Sequence, residues 1–238
     1  MKWFWKVMIT LLCLLLVIGG IVLFSGYQIY QKALDTISLT DKVDKIQKDE
    51  DYVKLSDLPL DYKNAVVSVE DRRFYKHGAI DIIAIGRAIV TNIQNWKLLE
   101  GGSTITQQVG ENLYFIASDE NPILCKIAEI FMAYDLEKQY DKDTILELYM
   151  NTIYFGDGYY GIQEACKGYF KKDAKDMTLY EATMMAGVPN APSVYAPTAN
   201  LNLTLSRQKK VISTMVENEY LTQEQADELI AMQSKTKK

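Results

Sequence analysis

The densest group of side chains able to do chemistry lies at residues 70–78, which read EDRRFYKHG. Two carboxylates stand there beside three basic residues and His77, the only histidine of the chain. The preceding residues 65–69 are mostly apolar, so we expect Glu70 to emerge directly from a buried helix. A carboxylate at the edge of a core has a raised pKa and suits a general base near neutral pH. A solvated, charged helix end is the alternative that this segment leaves open.

A second group, GGSTITQQ at residues 101–108, combines two glycines with hydroxyl and amide side chains. Thr104 and Gln107 have the spacing of a capping box, which predicts the start of a helix. Helix N-termini present unpaired N–H groups and favour anions such as phosphate. An ordinary loop and cap has the same composition, so both interpretations stay open here.

A third group lies on the helix that Asn121 and Pro122 predict as its cap and first residue. Glu129 follows Lys126 by three residues, a spacing that fits either a functional pair or a surface ion pair. The apolar side chains of this helix follow helical spacing and predict its buried stripe. The stripe consists of Ile123, Ile127, Ile130, Phe131 and Tyr134. Glu129 is expected on a different face from this stripe.

The elements that must position these groups are predicted to be helices. Asp81 precedes the apolar run IIAIGRAIVTNI, and Thr178 with Glu181 and Thr222 with Gln225 repeat the capping-box spacing. Strand signals are weak because no sustained period-two alternation occurs. Three prolines in residues 188–197 predict one long irregular loop. The fold class is therefore mainly α.

Composition excludes several classes of protein. The 238 residues carry a net charge of −5, which argues against nucleic acid as a partner. With one histidine and no HExxH or CxxC motif, zinc sites that need several histidines cannot form. No GxSxG elbow is present to hold a nucleophilic serine. Carboxylates are the remaining candidates for acid–base work.

The N-terminal segment predicts a membrane anchor. Residues 7–24 are eighteen uncharged, mostly apolar residues, long enough to cross a bilayer. Lys2 and Lys6 precede them, so residues 1–6 are expected in the cytoplasm and the remainder outside the cell membrane, with a single pass. A cleaved signal peptide is the alternative, although the apolar region exceeds the usual ~7–15 residues.

The remainder of the chain divides into three predicted parts. Residues 25–57 form a polar stalk with some helix, residues 58–232 the folded domain, and residues 233–238 a basic tail. Cys125 and Cys166 fall outside the membrane; a disulfide is open to them, but two unpaired cysteines are expected. The apolar run at 80–93, with Trp96, Leu98 and Leu99, predicts either a buried helix or one that enters the outer leaflet.

Four segments in one order closely resemble the peptidoglycan glycosyltransferases: EDRRFYKHG, GGSTITQQ, KIAEIFMAYDLEKQYDKDTILELYMNTIYFGDGYYGI and LYEATMMAGVPNAPSVYAP. The resemblance covers roughly residues 60–215. It implies a lysozyme-like helical fold with a head and a membrane-associated jaw, in a monofunctional member without a transpeptidase domain. It also implies lipid II and the nascent glycan strand as substrates, membrane lipid as surroundings, and cell-wall synthesis proteins as further candidate partners.

The resemblance implies a role for particular residues. Glu70 matches the catalytic base, and Glu129 matches a second catalytic glutamate near the donor pyrophosphate. No metal site is certain, but a divalent cation, Mg²⁺ or Mn²⁺, is compatible with Glu129. The remaining matches are expected at the substrate: Asp71, Arg73, His77, Ser103, Thr104, Gln107, Gln108, Asn112, Lys126 and Lys142. Among these, Asp71, Arg73 and His77 are expected to support the chemistry rather than perform it.

Two residues depart from the family pattern. Glu111 stands where a lysine is usual, and Cys125 stands where an arginine is usual. Both changes remove a cation from the expected pyrophosphate side. The leading hypothesis is an active glycosyltransferase that polymerises lipid II with inversion. The alternatives are a catalytically impaired, membrane-anchored partner of the wall-synthesis machinery and a wall-cleaving enzyme of lysozyme type.

Overall fold

A computed structural model describes residues 2–96 and 101–236 of the chain. This part of the chain is helical and contains no strand, only an isolated bridge between Tyr154 and Tyr160. The expected mainly α fold class is therefore confirmed. The α-helices are, in chain order, α1 (Lys2–Thr36), α2 (Leu39–Gln47), α3 (Leu60–Glu70), α4 (Ile82–Asn95), α5 (Ile105–Gly110), α6 (Pro122–Gln139), α7 (Lys142–Thr152), α8 (Ile162–Phe170), α9 (Leu179–Met185), α10 (Pro192–Tyr195), α11 (Leu201–Glu217) and α12 (Gln223–Thr236).

Helix α1 is one continuous helix that extends well beyond its apolar segment. Residues 3–36 are long and apolar enough to cross a membrane, by length and composition. The second half of the helix occupies part of the segment predicted as a stalk. Tyr30, Leu39 and Val43 from this segment are buried in the core of the domain. The connector therefore packs against the domain instead of standing free, because its apolar side chains recur at helical spacing and bury one face.

Helix α1 packs closely along α6. A Cβ placed on Gly26 would lie 2.5 Å from Cγ2 of Ile127, so only glycine allows this approach. One turn further on, the rings of Tyr27 and Tyr30 contact Phe131, with centroids 5.3 and 5.8 Å apart respectively. Tyr30 also donates a hydrogen bond to Asp135 on α6. The anchor helix and α6 thus form one packed pair.

The core of the domain lies between α3, α5, α7, α9 and α11. Helix α3 packs on α9 and α11, while α5 packs on α6 and α7. The largest side chains that are fully buried come from α3, α7 and the segments beside them, for example Tyr62, Phe74, Tyr149 and Phe155. Burial of such side chains is the main favourable term in folding. This core holds the C-terminal end of α3, and with it Glu70, in a fixed position.

The predicted start signals of the helices are confirmed. Asp81 caps α4, Asn121 caps α6, and Thr104 and Thr178 each form a complete capping box with Gln107 and Glu181. The region 188–197 differs from the expected irregular loop. It contains a 3₁₀ turn, Val188–Asn190, and the short helix α10, because a proline fits the first turn of a helix. The cysteines are unpaired, as expected.

The predicted buried stripe of α6 is wrong. Ile123 and Tyr134 are exposed, whereas the opposite face is buried and contains Glu129. The isoleucine face is covered only in part, where Ile127 meets α1, and the small residues face the core. The buried residues of α6 are Cys125, Ala128, Glu129, Met132, Ala133 and Leu136. Apolar spacing located one face of α6 but could not distinguish burial in the core from contact with α1.

Helix α4 exposes most of its apolar side chains. Ala88 is its only buried residue, and Ile82 and Ile93 are 75% and 65% exposed. Trp96, which ends the helix, is 92% exposed. This contradicts the interpretation as an ordinary buried helix, and a continuous apolar surface of this kind is typical of a membrane or protein contact. Leu98 and Leu99, part of the same prediction, lie outside the described residues.

Candidate active site

A cleft of about 540 Å³ runs along the C-terminal end of α3. The start of α4, the residues before α5, and α11 form its other walls. Six of the residues predicted from sequence line it: Glu70, Asp71, Arg73, Ser103, Thr104 and Gln108. The structure therefore brings the first and second sequence groups together, although more than twenty residues separate them in the chain.

Glu70 is a largely buried carboxylate in the wall of this cleft. Its side chain is 11% exposed, and Gln108 Nε2 donates a hydrogen bond to its Oε2 over 3.2 Å. The guanidinium of Arg207 lies 3.7 Å from Oε1. Burial raises the pKa of the Glu70 carboxyl, and Gln108 and Arg207 oppose that rise only in part. A carboxylate with a raised pKa at a cleft wall has the properties of a general base.

Asp71 and His77 form a buried pair in the segment that follows Glu70. Nε2 of His77 lies 2.9 Å from Oδ1 of Asp71, and both side chains are almost fully buried. The other oxygen, Oδ2, accepts the backbone N–H of Ile105 over 3.2 Å. This bond connects the loop after α3 to the start of α5. Asp71 and His77 thus position the two walls of the cleft relative to one another.

Arg73 and Asp81 form a second pair at the start of α4. Arg73 Nε lies 2.9 Å from Oδ2 of Asp81, whose other oxygen caps the helix. Ligand atoms of Asp71, His77 and Asp81 lie within 4.8 Å of one another, a spacing that a metal ion could use. Each of these groups already has a hydrogen-bond partner within the protein, so the arrangement is explained without an ion.

The start of α5 is held by side chains predicted to contact substrate. Thr104 Oγ1 accepts the N–H of Gln107 and donates to the carbonyl of Ala79. Oε1 of Gln107 accepts the N–H of Thr104, which completes the capping box. Gln107 is buried and is not among the lining residues, whereas Ser103 and Gln108 do line the cleft. Gln107 therefore shapes the cleft wall from behind.

A third group of carboxylates lies where the turn that follows α5 faces α6. Lys126 Nζ lies 2.5 Å from Oε2 of Glu129 and 3.8 Å from Oε2 of Glu111. Burial and the charge of Glu111 raise the pKa of Glu129, and Lys126 opposes this rise. Gly110 allows α5 to approach this closely, because a Cβ there would lie 3.2 Å from Cγ of Met132. One cation thus faces two carboxylates, of which only Glu111 lines the cleft.

Two further predicted substrate residues lie away from the cleft. Lys142 binds Oε1 of Glu137 at 2.6 Å and covers the ring of Phe74, so it joins α6 to α7. Asn112 lies in a π-helical turn that follows α5 and faces a separate pocket of about 270 Å³. A π-helical turn rotates the residues after it relative to a regular helix. Sequence spacing alone could not show this rotation.

The cleft residues missed by the sequence analysis include two basic side chains of α11. Arg207 and Lys210, on α11, both line the cleft, and Arg207 contacts Glu70 as described. Their sequence, RQKK, resembles the solvated basic face of a surface helix. The only signal available was their spacing of three, which places both side chains on one face. Arg72 and Arg87 also line the cleft, so its walls carry five basic side chains beside five carboxylates.

These features define a helical domain that follows one helix long and apolar enough to cross a membrane. Its cleft is lined by five basic and five acidic side chains, among them the largely buried carboxylate of Glu70. Comparison with known proteins assigns the domain to a family. A family model described as "Transglycosylase" matches residues 38–216, and the chain belongs to this family. The match begins about twenty residues before the domain start predicted at residue 58, in agreement with the packing of Leu39 and Val43 in the core.

Several named proteins resemble the chain. It is 42% identical over 180 residues to penicillin-binding protein 1A of Neisseria lactamica, which covers 76% of this chain and 22% of that protein. It is 38% identical to penicillin-binding protein 1F of Bacillus subtilis over 77% of this chain and 25% of that protein. A crystal structure of penicillin-binding protein 1A from Haemophilus influenzae aligns with a TM-score of 0.45 and 23% identity, over 75% of this chain and 17% of that chain. The chain thus matches less than a third of the length of these relatives.

Proposed function

We propose that the chain polymerises lipid II into the glycan strands of peptidoglycan by inverting glycosyl transfer. The position of Glu70 supports this proposal most directly. Its carboxylate has a raised pKa, lies at the wall of a cleft with several arginines, and belongs to a chain of the transglycosylase family. The 4-hydroxyl of an incoming lipid II unit would lose its proton to Glu70 as the hydroxyl oxygen attacks the anomeric carbon of the growing strand.

Departure of the lipid pyrophosphate concentrates negative charge on the opposite side of the anomeric carbon. Cations and N–H donors aimed at that position lower the barrier. We assign this task to Arg73 and Lys210 in the cleft and to Lys126 beside it, with Glu129 holding the lysine in place, whereas Arg207 stays beside Glu70. A divalent cation, Mg²⁺ or Mn²⁺, near Glu129 and Glu111 would add to the positive charge there.

The membrane supplies the substrate in this scheme. The anchor α1 would cross the bilayer once with its N-terminus in the cytoplasm, and the exposed apolar face of α4 would enter the outer leaflet. The lipid tails of donor and acceptor would then remain in the bilayer while their sugars occupy the cleft.

Polymerisation of labelled lipid II by the detergent-solubilised full chain tests the proposal. We expect a ladder of glycan strands on a gel, measured with and without Mg²⁺, and no ladder from Glu70→Gln. Glu224→Gln, an exposed carboxylate on α12, is the matched control and should retain activity. A folded chain that makes no strands under conditions in which another family member is active would contradict the proposal.

The contact between Glu111 and Lys126 favours a second candidate, a catalytically impaired partner of the wall-synthesis proteins. In that case Glu111 neutralises a cation that the pyrophosphate needs. The wild-type chain would then make no strands, and Glu111→Lys would make it active. The appearance of glycan strands only after Glu111→Lys would distinguish this candidate from the active enzyme.

A further inference from the structure

Both ring nitrogens of His77 lie beside oxygen acceptors. Nδ1 lies 2.6 Å from the carbonyl oxygen of Gly78, and Nε2 lies 2.9 and 3.0 Å from the two carboxyl oxygens of Asp71. A neutral imidazole carries hydrogen on one nitrogen only, so its other nitrogen can only accept. Beside a carbonyl and an ionised carboxylate, a neutral ring would direct one lone pair at another. With Asp71 ionised, the geometry requires hydrogen on both nitrogens.

The contacts of Asp71 are those of an ionised carboxylate. Nε2 of His77 lies almost equally far from its two oxygens, as expected for one N–H shared between them. Oδ2 also accepts the backbone N–H of Ile105 over 3.2 Å. A neutral carboxylic acid would instead donate its O–H from a single oxygen. A neutral ring beside a protonated Asp71 therefore does not account for the shared contact.

The charges around the ring balance only if the ring is positive. Asp71 and Asp81 are buried, with 8% and 2% of their surface exposed. Burial raises the pKa of Asp81, but the N–H of Ala84 and the guanidinium of Arg73 lower it further, so Asp81 is ionised. One atom from each of Asp71, His77 and Asp81 lies within 4.8 Å of the other two. A neutral ring would leave two buried negative charges against one guanidinium, and an unpaired buried charge is strongly destabilising.

Other elements around the ring supply neutral groups or charges that are already paired. The ring of Phe74 lies edge-on to that of His77, with centroids 6.4 Å apart. Lys142 of α7 covers Phe74 and pairs with Glu137 at 2.6 Å. The start of α5 contributes the backbone N–H of Ile105, as described. Within the described part of the chain, the charge of the ring is therefore set against the two buried carboxylates.

We propose that the His77 ring is a buried imidazolium, a positioning residue whose positive charge offsets the negative charge of Asp71. Its consequence for catalysis rests on the proposed function, which makes Glu70 the base. Burial raises the pKa of Glu70 most, and the negative charge of Asp71 adds to that rise. A positive ring beside Asp71 reduces the second effect. His77 does not line the cleft, so it keeps Glu70 ionised without contacting the substrate.

The charge of the ring can be measured directly, because His77 is the only histidine of the chain. The full chain, labelled with ¹⁵N-histidine and purified in detergent through a tag without histidine, gives ring signals from this residue alone. At neutral pH we expect both ring nitrogens at the NMR chemical shift of a protonated nitrogen, each bonded to a hydrogen. One nitrogen at the shift of an unprotonated or metal-bound nitrogen would overturn the inference.

His77→Gln separates the charge of the ring from its hydrogen bond. The amide can still donate to Asp71 but carries no charge. We expect the acidic limb of the pH profile of polymerisation to move to higher pH, because Glu70 then holds its proton more tightly. At a fixed pH on that limb the rate should fall roughly three- to tenfold, with the KM for lipid II unchanged. A limb that stays at the wild-type pH would refute the role of the charge.

Lys76→Gln is the matched control. It removes a positive charge one residue earlier, but from an exposed side chain that water and salt screen. We expect its acidic limb at the wild-type pH. If the pair had only a structural role, His77→Gln would lower the melting temperature and leave the limb where Lys76→Gln leaves it.

The double variant Asp71→Asn with His77→Gln removes both charges of the pair. Glu70 then faces a neutral pair, as it faces a balanced pair in the wild type, so the acidic limb should return toward the wild-type pH. A limb that stays at the position of His77→Gln would contradict the offset of the two charges.

The NMR measurement remains decisive if His77→Gln does not fold. In Asp71→Asn the ring has lost its carboxylate, so we expect one nitrogen to move to the shift of an unprotonated nitrogen. A ring that stays doubly protonated would contradict its pairing with Asp71. A wild-type chain with a doubly protonated ring that makes no glycan strands would refute the proposed function and support the charge assigned to His77.

Discussion

Glu70 and Glu129 are both buried carboxylates, but the protein balances their charges in different ways. Glu70 lies at the end of α3 with a neutral amide on one oxygen and a guanidinium 3.7 Å from the other. Glu129 lies within α6 and binds an ammonium group directly, at 2.5 Å. The first arrangement leaves the carboxylate free to take up a proton. The second commits it to a cation, so we regard Glu70 as the base and Glu129 as the holder of Lys126.

Among the variants that test this comparison, Glu70→Gln should have the largest effect on activity. The amide keeps the size of the side chain but cannot accept the hydroxyl proton, so we expect polymerisation to fall about 10²–10⁴-fold. Thermal unfolding should show no loss of stability, because a neutral group replaces a carboxylate that burial disfavours. Activity within tenfold of wild type would assign the base elsewhere.

Lys126→Met tests the second arrangement, in which Glu129 binds an ammonium group directly. The substitution leaves Glu129, which is 5% exposed, without its cation. We expect the free energy of unfolding to fall by about 1–3 kcal/mol, and activity to fall with it. Adding Glu129→Gln to Lys126→Met should restore stability without restoring activity. If Lys126→Met alone were as stable as wild type, the ion pair would have no structural role.

Glu111→Gln tests how far a second carboxylate occupies the lysine that pairs with Glu129. It removes the second carboxylate that faces Lys126, so the ammonium becomes available to a pyrophosphate. We expect the KM for lipid II to fall roughly three- to tenfold, since the contact is half-exposed. Glu228→Gln on α12 is the control for a general change in net charge. A higher KM would show that Glu111 itself contributes to substrate or metal binding.

Cys125→Arg, the other change toward the family pattern, should behave differently. Cys125 is buried beside Ser118, so an arginine there must either bury its charge or displace its neighbours. We expect a lower melting temperature and no gain in activity comparable to that of Glu111→Gln. Equal gains from the two variants would mean that the arginine side chain reaches the cleft.

Gly26→Leu should have a smaller effect on activity. It would act indirectly, through α6, the helix that carries Glu129. A side chain at position 26 would collide with Ile127 and separate α1 from α6. We expect a loss of about 1–3 kcal/mol in stability and a several-fold loss of activity. Gly20→Leu is the matched control, because no atom lies within 4 Å of a Cβ at that position. Equal stability and activity of the two variants would show that the packing of α1 on α6 affects neither property.

The sequence predicted most of the wall that contains Glu70 and little of the packing around Glu129. Capping boxes and apolar runs are local signals, so they located α4, α5 and the end of α3 correctly. The buried face of α6 depends on which neighbours cover it, and the packing of α1 against Ile127 and Phe131 is not encoded in the spacing of α6. Arg207 was missed for a similar reason. Its role arises from a contact with a residue 137 positions earlier in the chain.

The unbroken helix α1 has a mechanical consequence. Its 35 residues extend for roughly 52 Å, well beyond the ~30 Å of a bilayer core. If the apolar part of α1 crosses a bilayer, the part beyond it, from Gly26 to Tyr30, is the part that packs on α6 between Ile127 and Asp135. Since no hinge separates the two parts, a change in bilayer thickness that tilts the anchor must also tilt α6. Lys126 and Glu129 would then move with α6, so the position of this charged pair would depend on the thickness of the membrane that holds the anchor.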